Sequence, residues 1–190
     1  MPITVTIPDN MLLDMETMKI TQIRGETITL EHSLKAIAKW ESKWHTPFLK
    51  RPTSKDDDPM TEEQLNSYIE CMCLEPVKDP RIFLVMPASV KEEIARYMDD
   101  PMTATTIKKD PNKTVSRSGG DTTAEQIYYM MAKCGIPFEC ENWHFNRLIM
   151  LIRVYEESEN PRKMSKAETL KQNRDLNRAR LASMKRPRRR

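Results

Sequence analysis

Glycine is scarce in this chain, with four in 190 residues, and two of these, Gly119 and Gly120, lack the flanking residues of a phosphate-binding loop. Such loops need glycines at fixed spacing so that backbone N–H groups can reach phosphate oxygens, so nucleotide chemistry of that type is not expected. Neither a serine elbow nor an HExxH string occurs, which removes the usual signatures of a hydrolase nucleophile and of a zinc protease. The sequence holds no run of about 18 apolar residues to cross a bilayer, so no membrane partner is expected. Its opening, MPITVTIPDN, has neither a basic region nor an apolar stretch before a small-residue cleavage site, so synthesis in the cytosol is expected. Cysteine is limited to positions 71, 73, 134 and 140, and without a secretion signal these are read as reduced thiols rather than a disulfide framework.

The cysteines and His144 invite a metal reading, and spacing argues against it. Residues two apart on a helix point about 200° apart, so Cys71 and Cys73 could not share an ion on a helical segment. Cys134 and Cys140 are wider apart than the ligand pairs of structural zinc sites. Glu141 and His144 are three apart and fit one helical face as an acid/base pair, but nothing nearby completes a site. His144 and Trp143 are read as packing residues. Neither a catalytic residue, a metal nor a cofactor is expected, and the protein is taken as a non-enzyme.

What is present is a strong charge polarity. Residues 161–190 carry twelve Lys or Arg against Glu168 and Asp175, a net of +10, which leaves a net of −7 on residues 1–160. The basic cluster Lys185, Arg186, Arg188, Arg189 and Arg190 could meet nucleic-acid phosphates or an acidic protein. It lacks interleaved aromatics for stacking bases, so sequence-specific recognition is not expected. Hydrophobic content of 38% is below the globular norm and charged content of 31% is above it, which places part of the chain outside the core.

Three regions follow: an N-terminal β-ribbon over 1–30, a helical body over 31–160, and a basic helical extension with tail over 161–190. The expected class is mainly α, with a small N-terminal β-hairpin and an extended basic C-terminal helix. Ile3, Val5 and Ile7 alternate with threonines, and Glu26–Leu30 is their expected partner across a loop from about Pro8 to Arg24. Leu30, Leu34, Ile37, Trp40 and Trp44 mark a helix ending before Pro47. Capping boxes are expected at Thr61/Gln64, Ser89/Glu92, Thr122/Glu125 and Ser165/Glu168. Ile82–Val85 reads as a strand or a buried helical turn, and 102–121 as a long loop. Ala124–Tyr155 carries two apolar stripes, Ile127/Met130/Met131/Cys134 and Leu148/Leu151/Ile152/Tyr155, separated by Gly135 and Pro137, and reads as a helical hairpin around a tight turn.

Fourteen methionines are many for this length, and methionine adapts to varied apolar partners. Met130, Met131 and Met150 are candidates for a binding groove, and Trp40 and Trp44 are aromatic candidates that read first as core. Several strings resemble a family encoded in the tail-gene cluster of long-tailed bacteriophages. They are EHSLKAIAKWESKWHTPFL (31–49), YIECM (68–72), DDPMTATT (99–106), IYYMMAKCGIPFECENWHFNRLIMLIRV (127–154) and KMSKAETLKQNRDLNRAR (163–180). The resemblance implies a tail assembly chaperone, which holds the tape-measure protein soluble and is displaced as tube subunits polymerise. Its implied partners are the tape-measure protein and other tail proteins, in the cytoplasm of an infected bacterium, with self-association as a further expectation. The alternatives are a structural or connector protein retained in the virion, and a nucleic-acid-binding protein acting through its basic tail.

Overall fold

β-Branched residues alternating with threonines build the outer two of four strands. The computed structural model describes residues 2–14, 18–50, 60–106 and 121–159, together with 170, 173–178 and 180. Strands β1 (Ile3–Ile7) and β4 (Glu26–Leu30) pair antiparallel with Val5 opposite Ile28. Side chains two apart on a strand share a face, and Val5, Ile7, Ile28 and Leu30 are buried together on one side of this ribbon.

The segment between them is not the expected loop. Asn10–Asp14 (β2) and Lys19–Ile23 (β3) form a second antiparallel ribbon, with Met11 opposite Gln22 and Leu13 opposite Ile20. The expectation of a mainly α protein with one small β-hairpin is therefore corrected: the described residues form a mixed α and β fold with two separate two-stranded sheets. The reason is chemical. Residues 14–18 contain no glycine or asparagine to announce a turn, and apolar residues on both faces of β2 erase the period-two pattern.

Gly25 joins β3 to β4 and donates its N–H to Asp9 Oδ1 at 2.6 Å. A Cβ at this position would sit 2.7 Å from the Pro8 carbonyl carbon and 2.8 Å from the Asp9 nitrogen, backbone atoms that cannot swing aside. Gly25→Ala is therefore expected to lower the unfolding free energy by about 2 kcal/mol. Urea unfolding followed by tryptophan fluorescence measures this, and an unchanged midpoint would mean that the two ribbons part without penalty.

Helix α1 (Leu34–Trp44) starts at Ser33, whose hydroxyl accepts from the Ala36 N–H, and stops at His45 in the left-handed conformation, two residues before Pro47. Helix α2 (Glu62–Met72) opens on the expected box, with Thr61 Oγ1 accepting from Gln64 N–H at 3.2 Å and Gln64 Oε1 accepting from Thr61 N–H at 3.1 Å. The ambiguous apolar run resolves as a short 3-10 turn over Pro80–Phe83 with Ile82 and Phe83 buried.

Two expected caps move. Helix α3 (Ala88–Asp99) starts at Pro87 without a side-chain cap, leaving Ser89 inside the first turn. Helix α4 (Ala124–Lys133) starts one residue late, pairing Thr123 with Gln126, because the Thr122 N–H is engaged by the Leu49 carbonyl at 3.2 Å. Gly135 ends α4 at φ 65°, as its conformational freedom suggests, but no tight turn follows. A 3-10 segment, Phe138–Asn142, intervenes before α5 (Phe145–Glu159), and the chain there bridges to Ser33.

The chain divides into two units, Met1–Tyr155 and Glu156–Arg190. In the first, β1, β3, β4 and the helices contribute to one core. In the second, residues 173–178 are helical and Leu170 and Leu176 are exposed. The expected cap at Ser165/Glu168, residues 107–120 of the long loop, and the basic cluster at 185–190 lie outside the described residues.

Candidate interaction surface

The link from β4 to α1, residues Glu31 to Ser33, is held by backbone bonds to two distant segments. The Glu31 N–H donates to the Met72 carbonyl at 3.0 Å, and the Phe145 N–H donates to the His32 carbonyl at 2.7 Å. Fixed in this way, the strap carries a polar cluster into the core. His32 Nδ1 meets the Tyr68 hydroxyl at 2.5 Å, and the Tyr97 hydroxyl donates to Glu31 Oε1 at 2.5 Å. His144 Nε2 lies 3.1 Å from the Tyr97 carbonyl, and the two imidazoles meet edge to face at 5.2 Å between centroids. A carbonyl only accepts, so Nε2 carries the hydrogen and Nδ1 keeps its lone pair, buried and without a partner.

Burial, followed by the charge on His144, pushes the His32 pKa down to about 3. Burial also lowers that of His144, against opposing pulls from the Tyr97 carbonyl and Glu31. Desolvation raises the Tyr68 and Tyr97 hydroxyls, and at Tyr97 the bond to Glu31 adds to it. All five side chains are buried, so the cluster fastens the strap, α2, α3 and the start of α5 and presents no reactive group to a substrate.

A second polar fastener sits on α1. Glu41 Oε1 accepts from the Phe48 N–H and Oε2 from the Ala124 N–H, each at 2.8 Å. Ala124 is the first residue of α4, where N–H groups lack helical partners and the dipole favours an acidic side chain.

The tryptophan candidates serve the core. Trp40 is buried and donates its indole N–H to the Gln64 carbonyl at 2.9 Å, while half-buried Trp44 donates to Ser67 Oγ at 3.1 Å, so both bind α1 to α2. Met131 is fully buried, whereas Met130 and Met150 are half-buried. Trp143 lies near the surface beneath the Arg147 guanidinium, 4.4 Å from the ring centroid. Glu141 and His144 engage different partners, Glu141 accepting from the Tyr128 hydroxyl at 2.7 Å. Cys71 lies on α2 and Cys73 caps its end, where burial first and Glu70 next push the Cys73 thiol up to about 12. Among the described residues, no group of three His, Cys, Asp or Glu could hold a metal ion, and no described helix is long and apolar enough to cross a membrane.

The surface that sequence reasoning missed is the outer face of the β2–β3 ribbon. Leu12 and Ile23 turn toward the core, which leaves Met11 (70% exposed), Leu13 (45%) and Ile20 (68%) on the opposite face. Beside them Met18 is 71% exposed and takes φ 52°, uncommon for a residue with a Cβ. Four large apolar side chains thus lie together at the surface on a short element. Their density between Met11 and Ile20 was the available signal, masked by the reading of this stretch as a loop. No protein-family model, curated protein or solved structure matches the chain.

Proposed function

We propose that this protein is a non-enzymatic assembly chaperone of a long-tailed bacteriophage, binding the tape-measure protein during tail morphogenesis in the infected cell. The observation that carries the reading is the bare apolar face of the β2–β3 ribbon, on Met11, Leu13, Met18 and Ile20. The largest exposed apolar patch of a protein is often a functional one, and a chaperone needs an adaptable apolar surface. Two of the four residues are methionines, whose flexible, polarizable side chains accept partners of varied shape. The resemblance to tail-cluster proteins supplies the client.

The test is quantitative mass spectrometry of purified virions beside the infected-cell lysate, with pull-down of the tape-measure protein. A transient chaperone is expected to be abundant in lysate, bound to the tape-measure protein, and absent from particles. Stoichiometric presence in particles would sink the reading in favour of a retained structural component.

A further inference from the structure

Charge divides along the same line as the chain. Removing Glu156, Glu157 and Glu159 from the −7 of residues 1–160 leaves a net of −4 on the unit Met1–Tyr155 and places +7 on the unit Glu156–Arg190. Within the second unit, residues 176–190 hold seven Lys or Arg and no acid. Eight of the twelve cations after position 160 are arginine, whose planar fork pairs with phosphate oxygens two at a time. The described residues 173–178 form a helical stretch with all six side chains exposed, and Arg174 and Arg178, four apart, share one of its faces. We infer that the second unit binds the phosphate backbone of a nucleic-acid duplex, through Arg174, Arg178 and the cations that follow them, without reading sequence. This activity is independent of the chaperone reading.

Two other partners of opposite charge fit this unit poorly. A second copy of the chain offers the unit Met1–Tyr155, whose excess is only −4. There Glu26, Glu62, Glu70, Asp79 and Glu141 are already ion-paired with Lys78, Lys91, Lys43, Arg81 and Lys35, while Glu31 and Glu41 are buried. A separate acidic protein would meet exposed arginines at a few matched pairs, each worth less than about 1 kcal/mol in water. A duplex holds one charge per about 1.7 Å of its axis, and each phosphate contact releases a condensed counterion. Affinity then accumulates with the number of cations and makes little demand on their geometry. Residues 156–190 contain no Phe, Tyr or Trp, so bases have nothing to stack on and a single strand gains no advantage over a duplex.

The test is fluorescence anisotropy of a labelled DNA duplex titrated with the full chain over a range of salt. Binding is expected with a Kd below about 100 μM at about 150 mM salt. Log affinity is expected to fall against log salt with a slope of about −5, since each of about six phosphate contacts contributes about −0.9. A DNA duplex of unrelated sequence is expected to bind within about threefold, and an RNA duplex run beside them shows which nucleic acid the unit prefers. Arg174→Gln/Arg178→Gln is expected to make the slope shallower by about 2, and Arg186→Gln/Arg188→Gln/Arg189→Gln/Arg190→Gln by about 3 to 4. Both variants are expected to keep the unfolding midpoint reported by tryptophan fluorescence, since Trp40, Trp44 and Trp143 all belong to the first unit. An unchanged slope in either variant, a salt-independent affinity, or tighter binding of a single strand would overturn the inference. Displacement of the duplex by polyglutamate at equal charge concentration would overturn it in favour of an acidic protein. A dimer in sedimentation that the four-arginine variant dissolves would overturn it in favour of a second copy.

Discussion

Glu41→Ala is expected to lower the unfolding free energy by about 4 kcal/mol, a large share of the roughly 5–15 kcal/mol that stabilises a domain. The carboxyl group of Glu41 accepts from two backbone N–H groups, those of Phe48 and Ala124, at 2.8 Å each. Removing it takes the acceptor from the buried Ala124 N–H and from the half-buried Phe48 N–H, and a buried donor left unpaired costs about 1–3 kcal/mol. The Ala124 bond spans 83 residues and holds the N-terminus of α4 against α1, so its loss also removes a favourable interaction with that helix end. Glu41→Gln keeps one amide oxygen to accept one N–H and is expected to fall about midway. Urea unfolding of the two variants beside the parent measures both, and an alanine variant as stable as the glutamine variant would show that only one bond matters. Lys43, two residues along on the same helix, bonds exposed Glu70 at 3.3 Å, and its replacement is expected to change stability by less than about 1 kcal/mol.

What the sequence made legible follows from where local chemistry and packing agree. Helix α1 could be placed by its apolar stripe and its stop before Pro47, although the stripe was begun at Leu30, which belongs to β4, and the start at Ser33 was not read; α2 could be placed because the Thr61/Gln64 box precedes its apolar face. The start of α4 was displaced by one residue because a tertiary bond, Thr122 to Leu49, takes the N–H that a Thr122/Glu125 capping box would have used. The β2–β3 ribbon was hidden because it carries apolar residues on its outward face as well as its inward one, and that destroys alternation. Of the tryptophans read first as core, Trp40 is buried and Trp44 is half-buried against the core. The buried cluster of His32, Tyr68, Tyr97 and His144 was not legible at all. Its members lie up to 112 positions apart and meet only once the strap from β4 is pinned between Met72 and Phe145.

That cluster makes the fold sensitive to acid. His32, with its pKa pushed down to about 3, and His144, lowered in the same direction, are both neutral in the folded protein at pH values where an unfolded chain, near 6.5, takes up protons. The unfolded state therefore binds more protons than the folded state below that value, so stability is fully present above about pH 6.5 and is lost as the pH falls toward about 3. His32 alone is expected to remove about 2 kcal/mol by pH 5, and His144 adds its own share. The cause is geometric. A proton on His144 Nδ1 would find no acceptor, and a charge on either ring would face the other imidazole at 5.2 Å inside the core. The double variant His32→Asn/His144→Gln keeps a polar atom near each bonded ring nitrogen but cannot take up the proton. It is expected to be less stable than the parent at pH 8, because the rings are lost, yet to show a much shallower slope of unfolding free energy between pH 6.5 and 5. Carboxyl groups titrate mostly below that window, so the slope there isolates the imidazoles. Equal slopes in parent and variant would mean that the cluster opens to water before it charges, and the strap at Glu31 to Ser33 would then be the first part of the fold to loosen.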